Sequence, residues 1–351
     1  MKRPFLVNFL AIRNKIDIAI KAFISDASNQ SVKDVKIPFK SIALIRKKAF
    51  KIKLIGLGHM NKVVFQKEYE TDHYGNLEVK IPMKSSDDEI RAFHIYETSI
   101  EEGISFMLGT FYVLDINKNN KIVISDFDKT LCETKFSTMK EIYYSLNSPL
   151  DEFPPIPKSL DIVKSLMRDN YQAFVLSASP HFYEQAITDW LYKNEIHTSS
   201  VFLKDYRDFF SVSKNILSIK DVKKQGFYKL NQLVKILSMT GIPKDLVLIG
   251  DGFEGDVLIY LTLFAILKDK EDSWVVWNSL KDNNVFKLTH RQHSLFLSKL
   301  YGLSEQAKNI ENFNFQIKIR CNKEIYESCR AKKYSLKFID RNIELIDFYI
   351  A

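Results

Sequence analysis

Cysteine is scarce in this sequence. Three occur in 351 residues, Cys132, Cys321 and Cys329, an odd number with no CxxC pair. That excludes a disulfide framework, gives no zinc-knuckle spacing and fits a reducing compartment. Long apolar runs are lacking too. No stretch approaches the roughly 20 uninterrupted apolar residues that a helix needs to cross a bilayer, and Leu258 to Leu267 reads as a buried helix. The start, Met1 to Ile12, has the charged and apolar parts of a signal peptide. Arg13, Lys15 and Asp17 follow at once, however, with no small-residue cleavage pattern, so secretion is not expected. Internal repeats and low-complexity segments are absent. What remains is ordinary globular material, 46% hydrophobic and 27% charged, ample for a core. At this length one core is seldom enough, so two domains are expected.

Lysine and arginine outnumber aspartate and glutamate by 51 to 43, a net charge of +8 that favours anionic partners. The lysines are spread along the chain, so a solvated surface outweighs a dedicated polyanion site, and no nucleic-acid partner is expected.

Residues 1–35 carry Leu6, Phe9, Leu10, Ile16, Ile20, Phe23 and Ile24 at helical spacing among Arg13, Lys15 and Lys21. This predicts an amphipathic helix, either packed on a core or laid on a membrane surface. Over 36–118 the pattern shortens to runs at Ser41 to Leu44, Phe50 to Ile55, Val63 to Tyr69, Leu77 to Ile81, Arg91 to Tyr96 and Gly109 to Leu114, separated by turn formers. A small antiparallel β-sandwich is the natural assignment. From 119 to 281, strand signals at Ile122 to Ile124, Ala173 to Leu176, Val201 to Leu203, Leu246 to Ile249 and Trp274 to Trp277 alternate with helical ones. This predicts an α/β, Rossmann-like domain, a parallel sheet with helices on both faces and reactive groups at the strands' carboxyl ends. Residues 282–351 read as a helix at 285–311 and strands at Phe313 to Ile319, Tyr334 to Ile339 and Ile343 to Tyr349, which extend the sandwich or form a separate small unit.

Four elements carry chemistry. Asp126 and Asp128 stand two apart beyond the strand at Ile124, a spacing that directs both carboxyl groups to one region. One can attack phosphorus while the other donates a proton to the leaving alkoxide and later activates water; the plainer alternative is a turn. Ser177 ends the second strand, where its hydroxyl and the backbone N–H groups beyond it can bind phosphate oxygen; otherwise Ser179 caps a helix with Pro180 at its first position. Lys229, at the start of a helix, can supply fixed positive charge, with Lys223 and Lys224 as fallbacks. Asp251 ends the fourth strand in an acidic loop that suggests a metal. Magnesium prefers oxygen ligands, and Asp126, Asp251 and the backbone carbonyl of Asp128 would suffice. Asp256 then stands just outside the metal shell, orienting a bound water or pairing with Lys229.

The order Asp126/Asp128/Thr130, Ser177, Lys229, Asp251/Asp256 resembles the four motifs of the haloacid dehalogenase (HAD) superfamily. The closer likeness is to the catalytic domain of the actin-patch phosphatidate phosphatases, relatives of the lipins, carried by Ile124 to Leu131, Ser177 to Pro180 and Leu248 to Asp251 through Tyr260. The resemblance spans roughly residues 36 to 280. It implies a HAD-like Rossmannoid fold behind the β-sandwich and an Mg2+-dependent phosphatase. Asp126 would be nucleophile, Asp128 acid/base, and Asp126, Asp128 and Asp251 metal ligands. Thr130, Ser177, Ala178 and Lys229 would hold phosphate, with Asp256 beside them. The sequence departs from the family at Lys129, usually an acid, at His181, usually aromatic, and at Gly252-Phe253, usually Ser-Gly. Cys132 is most simply packing.

The segments 131–172 and 180–228 are too short for a large lid, so an open site is expected, suited to a headgroup at a membrane surface. Phosphatidate as substrate, a cytoplasmic location and peripheral membrane contact follow as expectations. The alternatives are a phosphatase for soluble or protein phosphoesters, and a non-catalytic scaffold, which should have lost one of Asp126, Asp128, Lys229 or Asp251.

Overall fold

The computed structural model describes residues 4–25, 48–83, 90–99, 103–134, 150–180, 183–204, 226–253, 255–281, 283, 286, 290–331 and 337–350. The chain forms two compact units, Met1–Lys118 and Asn119–Ala351.

The first unit is built of strands β1 (Phe5–Arg13), β2 (Asp17–Ser25), β3 (Lys51–Leu57), β4 (Val63–Glu70), β5 (Asn76–Pro82), β6 (Ala92–Glu97), β7 (Phe106–Tyr112) and β8 (Leu114–Asp115). They form two four-stranded sheets, β5-β2-β1-β8 and β4-β3-β6-β7. All pairings are antiparallel except β1 with β8. Ile18, Ile20 and Ile24 of one sheet share a core with Ile52, Leu54, Phe93 and Ile95 of the other. The expected strand Ser41 to Leu44 lies outside the described residues.

The amino-terminal helix is replaced by the β1–β2 hairpin. Turn chemistry decides it. Asn14 Oδ1 accepts from the N–H groups of Ile16 (2.8 Å) and Asp17 (2.9 Å), and Asn14 Nδ2 donates to Asp17 Oδ1 at 2.7 Å. This side-chain turn reverses the chain where a helix would have had to continue. Beyond it Ile18, Ile20, Ala22 and Ile24 bury one face at a period of two. β-branched residues favour that arrangement.

The second unit contains β9 (Lys121–Asp126), α1 (Pro157–Arg168), β10 (Gln172–Pro180), α2 (Glu184–Lys193), β11 (Ser200–Lys204), α3 (Gly226–Thr240), β12 (Asp245–Asp251), α4 (Asp256–Leu267) and α5 (Ser273–Leu280). It continues with α6 (His290–Lys308), β13 (Asn314–Cys321), α7 (Lys323–Ala331), α8 (Lys337–Asn342) and β14 (Asp347–Ile350). Its six strands pair in parallel in the order β11-β10-β9-β12-β13-β14, flanked by helices. The first strand of the unit is central. The chain builds outward to β11 on one side, then returns to build β12, β13 and β14 on the other. The direction therefore reverses between β9 and β12, where the carboxyl ends of a doubly wound sheet leave a crevice. Ile122, Val123, Ile124 and Leu246 to Ile249 are fully buried, as strands covered on both faces must be. Every residue of α4 is buried. Among the described residues no helix is long and apolar enough to cross a membrane.

Three expectations fail here. Trp274 to Trp277 belongs to helix α5, not to a strand. Asp272 caps it, accepting from Val275 N–H at 2.9 Å, and Ser273, Val276, Trp277 and Leu280 are buried at helical spacing. The carboxyl-terminal segment neither extends the sandwich nor stands apart, because β13 and β14 complete the parallel sheet. In β13 exposed residues alternate with buried Phe315 and Ile317, a half-covered pattern that conceals parallel pairing. Of the expected strand Tyr334 to Ile339, residues 337 to 339 are helical, in α8, and the rest lies outside the described residues.

Candidate active site

Past Asp126 the chain leaves β9 through a tight loop. Phe127 N–H donates to Leu176 O at 3.1 Å, and its ring meets Trp190 edge-on at 5.1 Å. Leu131 and Cys132 then turn their N–H groups back to Phe127 O, at 2.9 and 3.1 Å. Lys129, between them, adopts a left-handed φ of 57°. The loop holds Asp126 and Asp128 beside the ends of β10 and β12, with both side chains buried.

Asp126 faces charge. Lys229, from the buried face of α3, places Nζ 3.1 Å from Asp126 Oδ1 and 2.7 Å from Asp256 Oδ1. Thr130 Oγ1 donates to Asp126 Oδ2 at 3.2 Å. Asp256, first residue of α4, also accepts from Asp251 N–H, through Oδ2 at 3.2 Å. Burial pushes the Asp126 carboxyl well above the usual carboxylate range; Lys229 opposes the shift, and Asp256, Asp251 and Asp128 add to it. Gly250 permits this packing, since a Cβ there would fall 2.5 Å from Asp256 Oδ2 and 2.7 Å from Tyr260 Cε2. The Tyr260 hydroxyl in turn donates to Ile249 O at 3.1 Å.

Asp128 faces hydroxyls. Ser177 and Ser179, alternate residues of β10, donate to its Oδ2 at 2.6 and 3.1 Å, and Thr134 donates to its Oδ1 at 3.0 Å. Ser179 N–H donates to Ser177 Oγ at 2.9 Å. Ser179 is thus a strand residue and not the cap of α2, which begins four residues after Pro180. Ala178, between the two serines, is buried.

The structure therefore gathers Asp126, Asp128, Thr130, Ser177, Ala178, Lys229, Asp251 and Asp256 at the carboxyl ends of the central strands. Lys223, Lys224 and His181 lie outside the described residues. Cys132 is fully buried, and burial, Asp128 and Glu133 push its thiol pKa up, which makes it an inert packing group. The motifs had not pointed to Ser179, Thr134 or Arg320. The Ser-x-Ser spacing was the available signal for Ser179, because residues two apart on a strand share a face. No local pattern marks Thr134. Arg320 lies on β13, whose place in the parallel sheet its half-covered pattern conceals; its Nη1 donates to Lys129 O at 2.6 Å, and its Nη2 pairs with Glu133.

The donor set suits a hard cation. Carboxylate oxygens of Asp126, Asp251 and Asp256 lie within 4.8 Å of one another, all buried. Among the described residues four carboxyl groups, counting Asp128, meet one ammonium, that of Lys229, an imbalance that is costly in a buried site if the acids ionise. Both oxygens of Asp256 already accept hydrogen bonds. Asp126, with Oδ1 facing Lys229 and Oδ2 accepting from Thr130, is engaged to the same degree, so all three carboxyl groups are candidate ligands, and Asp256 also orients Lys229.

Residues 121–271 match the family model described as phosphatidate phosphatase APP1, catalytic domain, the family that the motifs resemble. No curated protein matches the chain. Among solved structures, a chain of the Pnkp1/Rnl/Hen1 complex is 18% identical over 38% of this chain and 39% of its own, with a TM-score of 0.26. A glycosyl hydrolase family 2 member from Bacteroides cellulosilyticus is 10% identical over 99% of this chain and 43% of its own, with a TM-score of 0.21. The chain spans about two fifths of the length of these proteins, and likenesses so distant do not bear on its function.

Proposed function

We propose that the protein is a HAD-type phosphomonoester hydrolase working through an aspartyl-phosphate on Asp126. The observation that carries the reading is the pairing of two unlike carboxyl groups at the switch point of the sheet: Asp126 ion-paired with Lys229, and Asp128 held by three hydroxyls. The family match over residues 121–271 independently supports a phosphatase.

In the first half-reaction a carboxylate oxygen of Asp126 attacks phosphorus and the ester P–O bond breaks. Asp128 gives its proton to the departing alkoxide. In the second, Asp128 takes a proton from water, the water oxygen attacks phosphorus, and the bond to Asp126 breaks to release inorganic phosphate. Lys229 holds positive charge beside the oxygens that gain negative charge in both steps. Ser177, Ser179 and Thr134 keep Asp128 in one orientation; hydroxyls both donate and accept, so they serve either protonation state. Mg2+, held by Asp126 and Asp251 with the backbone carbonyl of Asp128, would neutralise phosphate oxygens and the excess carboxylate charge.

Phosphatidate is the substrate we propose, presented at a membrane surface to a site near exposed Phe253. Phosphate release from phosphatidate in mixed micelles, set against a panel of water-soluble phosphomonoesters, tests it. Strong preference for the lipid is expected. Equal rates on both would assign the enzyme to soluble or protein phosphoesters, and release that persists in EDTA would remove the metal-dependent route.

A further inference from the structure

We propose that Arg320, on β13, is a positioning residue that clamps the nucleophile loop, so that the segment after residue 281 is a working part of the site. The inference rests on the phosphatase reading above. Arg320 stands opposite Asp251 in the β12–β13 register, and its carbonyl accepts from Gly252 N–H at 2.8 Å. Its side chain is buried, reaches across to donate to Lys129 O, and pairs with Glu133 through the other arm. The ring of Phe253 lies 5.7 Å from the guanidinium carbon.

The residue at the end of this clamp is unusual. Lys129 is not a glycine, yet it holds a left-handed φ of 57°, which L side chains resist. Its N–H donates to Cys132 O at 2.8 Å and its carbonyl accepts from Arg320 at 2.6 Å, so both backbone groups are tied down. Lys129 follows Asp128 and precedes Thr130, whose hydroxyl reaches Asp126. The direction of the peptide at 129 thereby sets the acid/base on one side and a partner of the nucleophile on the other. Arginine suits the task because its rigid planar fork presents two donors in a fixed geometry, which the flexible ammonium of a lysine does not.

The test compares Arg320→Met, Arg320→Lys and Glu133→Gln in the full chain. Phosphate release is normalised to folded protein, and amide hydrogen exchange is followed across 127–134. In Arg320→Met, kcat should fall at least about tenfold with KM changed less than about twofold, since a small misplacement of reacting groups is costly. Arg320→Lys should recover part of the loss. Exchange at Lys129 and Cys132 should quicken at least about tenfold while the β12 amides stay protected. Unchanged kcat per folded molecule, or a rise in KM alone, would overturn the clamp. If Arg320→Met does not fold, Glu133→Gln is read in its place, and an unaltered kcat with unaltered exchange would overturn the proposal. A wild-type protein with no Asp126-dependent phosphate release would defeat the phosphatase reading instead; exchange then decides the clamp by itself.

Discussion

Asp126 is ringed by ionisable groups, with Lys229 at 3.1 Å and Asp251 and Asp256 beside it, whereas Asp128, two residues on, is held by the hydroxyls of Thr134, Ser177 and Ser179. The loop is the same and the elements that meet it differ. β12, α3 and α4 bring fixed charge to the first carboxyl group, and β10 brings rotatable donors to the second. The contrast separates the roles. A nucleophile that must carry a phosphoryl group gains from fixed charges that do not rearrange during the reaction. An acid/base must change its protonation state twice, and hydroxyls accommodate both states.

The largest break in this contrast is Asp126→Asn, which should cost at least about 10,000-fold in kcat, as loss of a nucleophile does. Asp128→Asn should cost roughly 100- to 10,000-fold, the worth of a general acid/base, and should flatten the pH profile of kcat. Lys229→Met leaves Asp126 and Asp256 without their ammonium. Removing one partner of a buried pair costs roughly 3–5 kcal/mol, so denaturant melts should show a large loss of stability along with lost turnover. Ser179→Ala removes one of three hydroxyls from Asp128 and should cost about 1 kcal/mol, or roughly fivefold in kcat, with Ser177 and Thr134 keeping the rest.

Stability against pH sharpens the same comparison. The folded-state pKa of Asp126 is raised, above all by burial. Its contribution is therefore fully present below the ordinary carboxylate value of about 4 and is lost as pH rises through the folded value. In metal-free buffer Asp126→Asn should melt above wild type at pH 7, and the gap should close toward pH 4. A gap of the same size at both would show that burial does not raise the Asp126 carboxyl as described.

Much of the site was legible because its residues follow strands buried on both faces. Ile122 to Ile124, Phe174 to Leu176 and Leu246 to Ile249 read as unbroken apolar runs, and Asp126, Ser177 and Asp251 stand at or just past their ends. Lys229 was less legible, since any one lysine is ordinarily on the surface; only its burial beside Asp126 and Asp256 distinguishes it. The amino-terminal hairpin misled because its apolar positions also fit a helical period, while the turn made by Asn14 depends on side-chain bonds that periodicity does not register. The segment 273–280 misled for the opposite reason. Its Trp and Val favour strands, and the cap at Asp272 overrides them. Arg320 could not be found by motif, since its contact with Lys129 joins positions 191 residues apart and exists only because β13 pairs with β12.

The central claim is that Asp126 takes the phosphoryl group. Wild-type protein mixed with Mg2+ and phosphatidate in mixed micelles, then quenched in acid within the first turnover, should yield a phosphoryl increment on the peptide containing Asp126. The increment should persist in Asp128→Asn, which is slow to hydrolyse it, and vanish in Asp126→Asn. A phosphoryl group on any other residue, or turnover that continues in Asp126→Asn, would contradict the account.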